Sequence, residues 1–111
     1  FGKPIAANQG VSFMIADMAT ELEAARELVY STAVLKDTGS REASIRCSMS
    51  KYFAAEMCNR VAYKAVQIFG GYGYIKGYKV ERLYRDARIT SIYEGTSQIQ
   101  QLVIANTLLR D

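Results

Sequence analysis

The residues Ile92-Tyr93-Glu94-Gly95-Thr96 set a carboxylate between a tyrosine and a glycine, in a break between two stretches of helical periodicity. A glycine at 95 lets a ligand approach the backbone closely, and a partly apolar setting raises a carboxylate toward the pKa of a useful base. Glu94 can equally cap the helix that follows, and the segment alone leaves both roles open. A second candidate is the run from Gln67 to Tyr74, QIFGGYGY. There the backbone N–H groups around paired glycines either hold a phosphate or simply end a helix. In ERLYRDAR the charges of Glu81, Arg82, Arg85, Asp86 and Arg88 fall at i,i+3 and i,i+4 spacings, the pattern of a solvated helix face laced by ion pairs.

Other chemistries are excluded by composition. With no histidine among 111 residues, the chain holds no His-based triad and no His-ligated zinc or haem. A net charge of +3 without a clustered basic stripe gives no case for nucleic acid. No stretch approaches the roughly 18 consecutive apolar residues of a membrane span. Cys47 and Cys58 share a helical face about 16 Å apart along the axis, too far to bridge, and read as small buried apolar residues in a reducing interior.

The elements that must position Glu94 are helices. One proline and eight glycines disfavour a turn-rich β plan, and the apolar half of the chain excludes a disordered tail. Apolar residues recur at helical spacing from Gln9 to about Asp37 (Val11, Met14, Ile15, Met18, Leu22, Ala25, Leu28, Val29, Thr32, Leu35), with Asn8 as N-cap and Gly39 as stop. That is a helix about 43 Å long. A second helix starts near Ser40 to Glu42 and runs through Ile45, Met49, Tyr52, Phe53, Met57, Val61, Ala65, Ile68 and Phe69 to Gly70-Gly71. The short turn between them makes an antiparallel hairpin. The segment 70–77, with four glycines, reads as a loop. A shorter helix over 79–89 turns Val80, Leu83, Tyr84, Ala87 and Ile89 inward. The last runs over 96–110, with Thr96 as N-cap and Ile99, Leu102, Val103, Ile104, Ala105, Leu108 and Leu109 on its core side. Two long and two shorter helices predict an all-α, up-down four-helix bundle. The first two helices are apolar on more than one side, which predicts contacts with further domains or a second subunit.

Three separated segments, FGKPIAANQGVSFMIADM, QIFGGYGYIKGYKVERLYRDAR and ITSIYEGTSQIQQLVIANTLLR, together resemble the C-terminal helical domain of the acyl-CoA dehydrogenases, in order and spacing. The likeness runs over essentially all of residues 1–111 and is nearest the short-chain or butyryl-type enzymes. It departs at Gly77, where the family usually has an acidic residue or asparagine, and near Lys79, where a proline is common. The chain begins at Phe1 rather than methionine, and the expectation is a domain of a longer polypeptide. Its N-terminal helical and middle β domains, and an arginine just before Phe1, would then lie outside this sequence, and the domain alone would not be a competent enzyme.

The resemblance implies an FAD enzyme that oxidises an acyl-CoA thioester to the trans-2-enoyl-CoA. A glutamate removes the α-proton while the β-hydrogen leaves as hydride to flavin N5, and the family motif puts that base at Glu94. The neighbouring backbone N–H and a ribityl hydroxyl would hold the thioester oxygen. Gly95 and Tyr93 would face the substrate. By matching position, Gln67, Ile68, Phe69, Gly70 and Gly71 meet the adenosine-pyrophosphate portion of FAD from the neighbouring subunit of a dimer. Phe1, Asn8 and Gln9 form another flavin-contacting group, and Thr96, Ser97 and Gln98 contact the cofactor beside the reacting centre. Implied partners are electron transfer flavoprotein and further copies in a dimer of dimers; implied locations are the bacterial cytoplasm or the mitochondrial matrix. Two alternatives stand beside this: an acyl-CoA oxidase, with oxygen as acceptor, and a non-catalytic helical interaction module.

Overall fold

The computed structural model describes residues 2–110. Phe1, assigned above to the flavin-contacting group, lies outside the described residues. All regular structure among those residues is helical: α1 (Gln9–Asp37), α2 (Ala43–Phe69), α3 (Gly71–Tyr74), α4 (Lys79–Arg88) and α5 (Ser97–Leu108), with 3₁₀ turns at Ile5–Ala7 and Ile89–Ser91. The two long and two shorter helices are those the periodicity predicts.

Asn8 occupies the N-cap position of α1, but its side chain does not cap. It turns back to donate to the Ile5 carbonyl at 3.1 Å, and the Asn8 carbonyl starts the helix by accepting from Val11 and Ser12. At the other end Gly39 is left-handed (φ 70°). The Gly39 N–H donates to Lys36 and the Ser40 N–H to Leu35, a Schellman closure that satisfies carbonyls the helix leaves open. The chain then reverses into α2, and the hairpin is antiparallel as expected. Thr32 meets Ser50 near the turn (Oγ–Oγ 2.6 Å), while Glu21 meets Arg60 and Asp17 meets Lys64 further along.

One expectation fails at the end of α2. The segment 70–77 is not wholly a loop, because Gly71–Tyr74 forms one helical turn. Gly70 (φ 59°, ψ −140°) breaks α2 in a conformation open essentially to glycine alone. Gly73 then lies buried against the last turn of α2, where a Cβ would come within 2.7 Å of Phe69 Cβ and 2.8 Å of the Val66 carbonyl oxygen. Close approach of backbone to backbone, which only glycine permits, makes the turn. Intrinsic helix propensity argues against it and is overridden.

α4 and α5 both seat on α2, α4 on its C-terminal half and α5 on its N-terminal half. The buried apolar residues are few among those described: Ala25, Ala55, Met57, Val80 and Ala87. Several positions expected inside are instead exposed: Ile15, Leu22 and Val29 on α1, Phe69 on α2, Leu83, Tyr84 and Ile89 at α4, and Ile99, Leu102, Val103, Leu108 and Leu109 on α5. The helical period is right, but one face of each short helix is enough to cover α2, so the rest of the apolar arc points outward. Cys47 is exposed and Cys58 half-buried, both as free thiols, so the expectation of two buried cysteines is also corrected. The body is elongated, 60 × 24 × 24 Å, and leaves this apolar surface uncovered by its own helices. Among the described residues no helix is long and apolar enough to cross a membrane.

Candidate active site

Glu94 lies between the 3₁₀ turn that follows α4 and the first turn of α5. It is the one non-glycine residue with positive φ among those described (54°), and Gly95 follows it at 87°. Two successive left-handed residues are uncommon. For a glutamate the conformation costs about 1–2 kcal/mol, so the surroundings must hold it. They do so through the carbonyls. Lys51 Nζ, from α2, donates to the Gly95 oxygen at 2.7 Å. Gln100 Nε2, from α5, donates to the Glu94 oxygen at 3.1 Å and the Gly95 oxygen at 3.4 Å. Among the described residues the N–H groups of Glu94 and Gly95 have no acceptor, and no hydrogen bond or ion pair ties down the Glu94 carboxylate. The turn therefore exposes a carboxylate and unused backbone donors on a fixed backbone.

The residues after it anchor the start of α5. Thr96 caps as predicted, its Oγ1 accepting from the Ile99 N–H at 3.3 Å. The buried Ser97 hydroxyl donates to Glu56 Oε1 on α2, so its side chain is committed inward. Gln98 is exposed beside them. With Arg88, Ser91 and Asn59, Thr96 to Gln98 line a polar cleft of about 390 Å³. Tyr93 lines a smaller hollow of about 220 Å³ with Lys51, Ala54 and Thr90. Arg88 Nη1 donates to the Ser91 hydroxyl at 2.6 Å and leaves the rest of its guanidinium facing solvent at the cleft.

The other predicted residues gather elsewhere. Gln67, Ile68, Phe69, Gly70 and Gly71 close α2, and the antiparallel hairpin brings Asn8 and Gln9, at the start of α1, to the same end. Gln67, Phe69, Gly70 and Gly71 are exposed and Ile68 is half-buried. From Glu56, which touches Ser97, to Gly70 is about 21 Å along α2 at 1.5 Å per residue. One chain thus presents two groups of candidate residues, one around Glu94 and one at the Gly70 end, and does not merge them. Lys51, Gln100 and Glu56 were not singled out from the sequence, and Arg88 was read there only as part of an ion-paired helix face. Gln100 had a signal, an amide one turn into a helix that can reach back to the loop before it. Lys51 is forty-four positions from its partner and had none beyond a lysine set into an otherwise apolar helix face.

A profile of the acyl-CoA dehydrogenase C-terminal domain matches residues 1–109. The chain belongs to this family. It is 60% identical over 99% of its length to the CarC subunit of the caffeyl-CoA reductase–Etf complex of Acetobacterium woodii, and 57% identical over 98% to an acyl-CoA dehydrogenase of Bacillus subtilis. The structure of butyryl-CoA dehydrogenase from Megasphaera elsdenii superposes with a TM-score of 0.95 at 47% identity, over 99% of this chain. The chain spans 29%, 28% and 28% of the lengths of these three proteins. In this acyl-CoA dehydrogenase domain, then, each of the two groups of candidate residues is centred on a left-handed break between helices, Glu94–Gly95 for one and Gly70 for the other.

Proposed function

We propose that this domain supplies the catalytic base and part of the flavin cradle of an FAD-dependent acyl-CoA dehydrogenase, which converts an acyl-CoA to its trans-2-enoyl-CoA. The observation that carries the reading is the Glu94–Gly95 turn, strained, held from behind through its carbonyls, and free at its carboxylate and N–H groups. An α-proton beside a thioester is acidic only while the carbonyl is polarised, so base and oxygen-binding donor must sit together. Glu94 offers both on one residue: its carboxylate to take the proton, and its N–H to hold the thioester oxygen. Gly95 has no side chain to keep the thioester away from that donor.

The residues fit the cofactor. At Gly70 and Gly71 a built Cβ meets nothing within 4 Å, so the backbone there is open to a pyrophosphate, and the Gln67 amide and Phe69 ring stand exposed beside it. Gln98 and the Thr96 N–H would meet the flavin near Glu94, while Ser97, its hydroxyl committed to Glu56, would contribute only its backbone. FAD, when bound, supplies the acceptor for the β-hydrogen. The separation of the two groups of residues supports a cradle completed by a second copy, one chain giving the Glu94 end and another the Gly70 end. Electron transfer flavoprotein is the proposed electron acceptor, supported by the naming of the Acetobacterium relative as part of an Etf complex. A non-catalytic module would have no use for the left-handed Glu94.

The test is stopped-flow flavin reduction in the full-length protein. Glu94→Gln, which keeps shape and loses basicity, should slow reduction by acyl-CoA by at least a hundredfold with FAD content unchanged. Reduction at the wild-type rate would contradict the assignment.

A further inference from the structure

The reading of Glu94 as base leaves open what keeps it in place, and the inference drawn here rests on that reading. We propose that Lys51 and Gln100 are positioning residues for the reaction, a clamp from two helices that sets the direction of the Glu94–Gly95 turn. All described peptide bonds are trans, so in each planar unit the N–H points opposite to the C=O. With the Glu94 carbonyl drawn toward Gln100 and the Gly95 carbonyl toward Lys51 and Gln100, the N–H groups of Gly95 and Thr96 are turned the other way. Neither donates to a backbone acceptor among the described residues. The clamp thus chooses the side to which the Gly95 and Thr96 donors point, and it holds the Glu94 N–H, one peptide earlier, through the backbone of Glu94 itself.

Lys51 is placed for this role and for little else. It is half-buried in the N-terminal third of α2, forms no ion pair among the described residues, and makes its side-chain hydrogen bond to Gly95. A lysine held there without a carboxylate partner gives its charge to one carbonyl, and polarising that peptide makes the Thr96 N–H a stronger donor. Gln100 comes from the element that follows the turn and Lys51 from the element behind it. Movement of α5 relative to α2 therefore acts directly on Glu94.

The experiment compares Lys51→Met, Lys51→Arg, Gln100→Leu and Glu94→Gln in the full-length flavoenzyme. Four quantities are read: kcat, KM for acyl-CoA, FAD content, and amide hydrogen exchange at residues 94–97. Lys51→Met and Gln100→Leu should each lower kcat ten- to a hundredfold, with KM and FAD content within twofold and local exchange at least tenfold faster. Lys51→Arg, which keeps a donor and the charge, should recover most of kcat. Wild-type kcat in Lys51→Met while Glu94→Gln is inactive overturns the clamp and leaves the base standing. A loss of kcat in Lys51→Met that follows loss of FAD or is not eased by arginine also overturns it, showing a merely structural role. Wild-type turnover in Glu94→Gln overturns the base reading itself, and the clamp's catalytic purpose with it.

Discussion

Gly95→Ala probes the turn with the smallest change available, one methyl group. At φ 87° an alanine is strained by about 1–2 kcal/mol, whatever space surrounds it. Its Cβ would also lie 2.7 Å from Gln100 Nε2. That amide is the far end of a flexible side chain and can swing away, but in doing so it leaves the Glu94 and Gly95 carbonyls. Each bond lost is worth about 1 kcal/mol at most, less where water replaces it. The native turn should therefore be disfavoured by about 2–3 kcal/mol, and the cheaper response is for residues 94–96 to reorient rather than for the domain to unfold. At 1.36 kcal/mol per tenfold, that population shift lowers kcat about 30- to 150-fold. Steady-state turnover of the full-length enzyme, set beside its denaturant midpoint, separates the two responses. Gly10→Ala is the control, since a Cβ there meets nothing within 4 Å inside α1 and should leave turnover unchanged with a slight gain in stability. If Gly95→Ala kept kcat within twofold of wild type, the idea that this backbone must be left-handed to act would be refuted.

Thr96→Ala removes the cap of α5 and should cost about 1 kcal/mol, seen as a lower denaturation midpoint. The buried Thr32–Ser50 pair predicts non-additivity. Ser50→Ala should cost about 1 kcal/mol, and Thr32→Val combined with it should cost clearly less than the sum of the singles, because each single already breaks the one Thr32–Ser50 hydroxyl bond that the two changes share. The α1–α2 seam predicts a pH dependence. The Arg60 hydrogen bond, helped by Lys64, holds Glu21 below its ordinary 4.5 despite partial burial. Burial works against the Lys64 ammonium, but Asp17 and Glu21 outweigh it and hold it above 10.5. The Glu21 contribution is thus present above pH 4.5 and lost as pH falls through its lowered native value. The Lys64 contribution is present below pH 10.5 and lost as pH rises beyond it. Arg60→Met should lower the urea midpoint at pH 7 by the equivalent of at most about 1 kcal/mol, and this difference should vanish in acid.

The span of α1 was legible because its signals are local: Asn8 and Gly39 bracket an unbroken apolar period, and the Schellman closure needs only the glycine. The same holds for α5 behind Thr96. The turn at Gly71–Tyr74 was not, since it depends on Gly73 fitting against Val66 and Phe69 rather than on its own propensity. The inward face of α4 was legible only in part. Val80 and Ala87 reach α2, but nothing local says that Leu83 and Ile89, one step round the helix, are left outside. At the candidate site, the sequence pattern picked out Glu94 and Gly95 as residues but not their backbone conformation. The carbonyls of that turn are met by Lys51 as well as by Gln100, and a partner forty-four positions away leaves no periodic trace.

The central claim, that Glu94 moves a proton at the carbon next to the thioester, is tested most directly by isotope exchange. The full-length enzyme and its Glu94→Gln variant are incubated anaerobically in D₂O with acyl-CoA, and the recovered thioester is weighed by mass spectrometry. Wild-type enzyme should wash deuterium into the α-position, and the variant should do so about a hundred to ten thousand times more slowly, the range a general base contributes. Equal exchange by the two proteins, both loaded with FAD, would contradict the account.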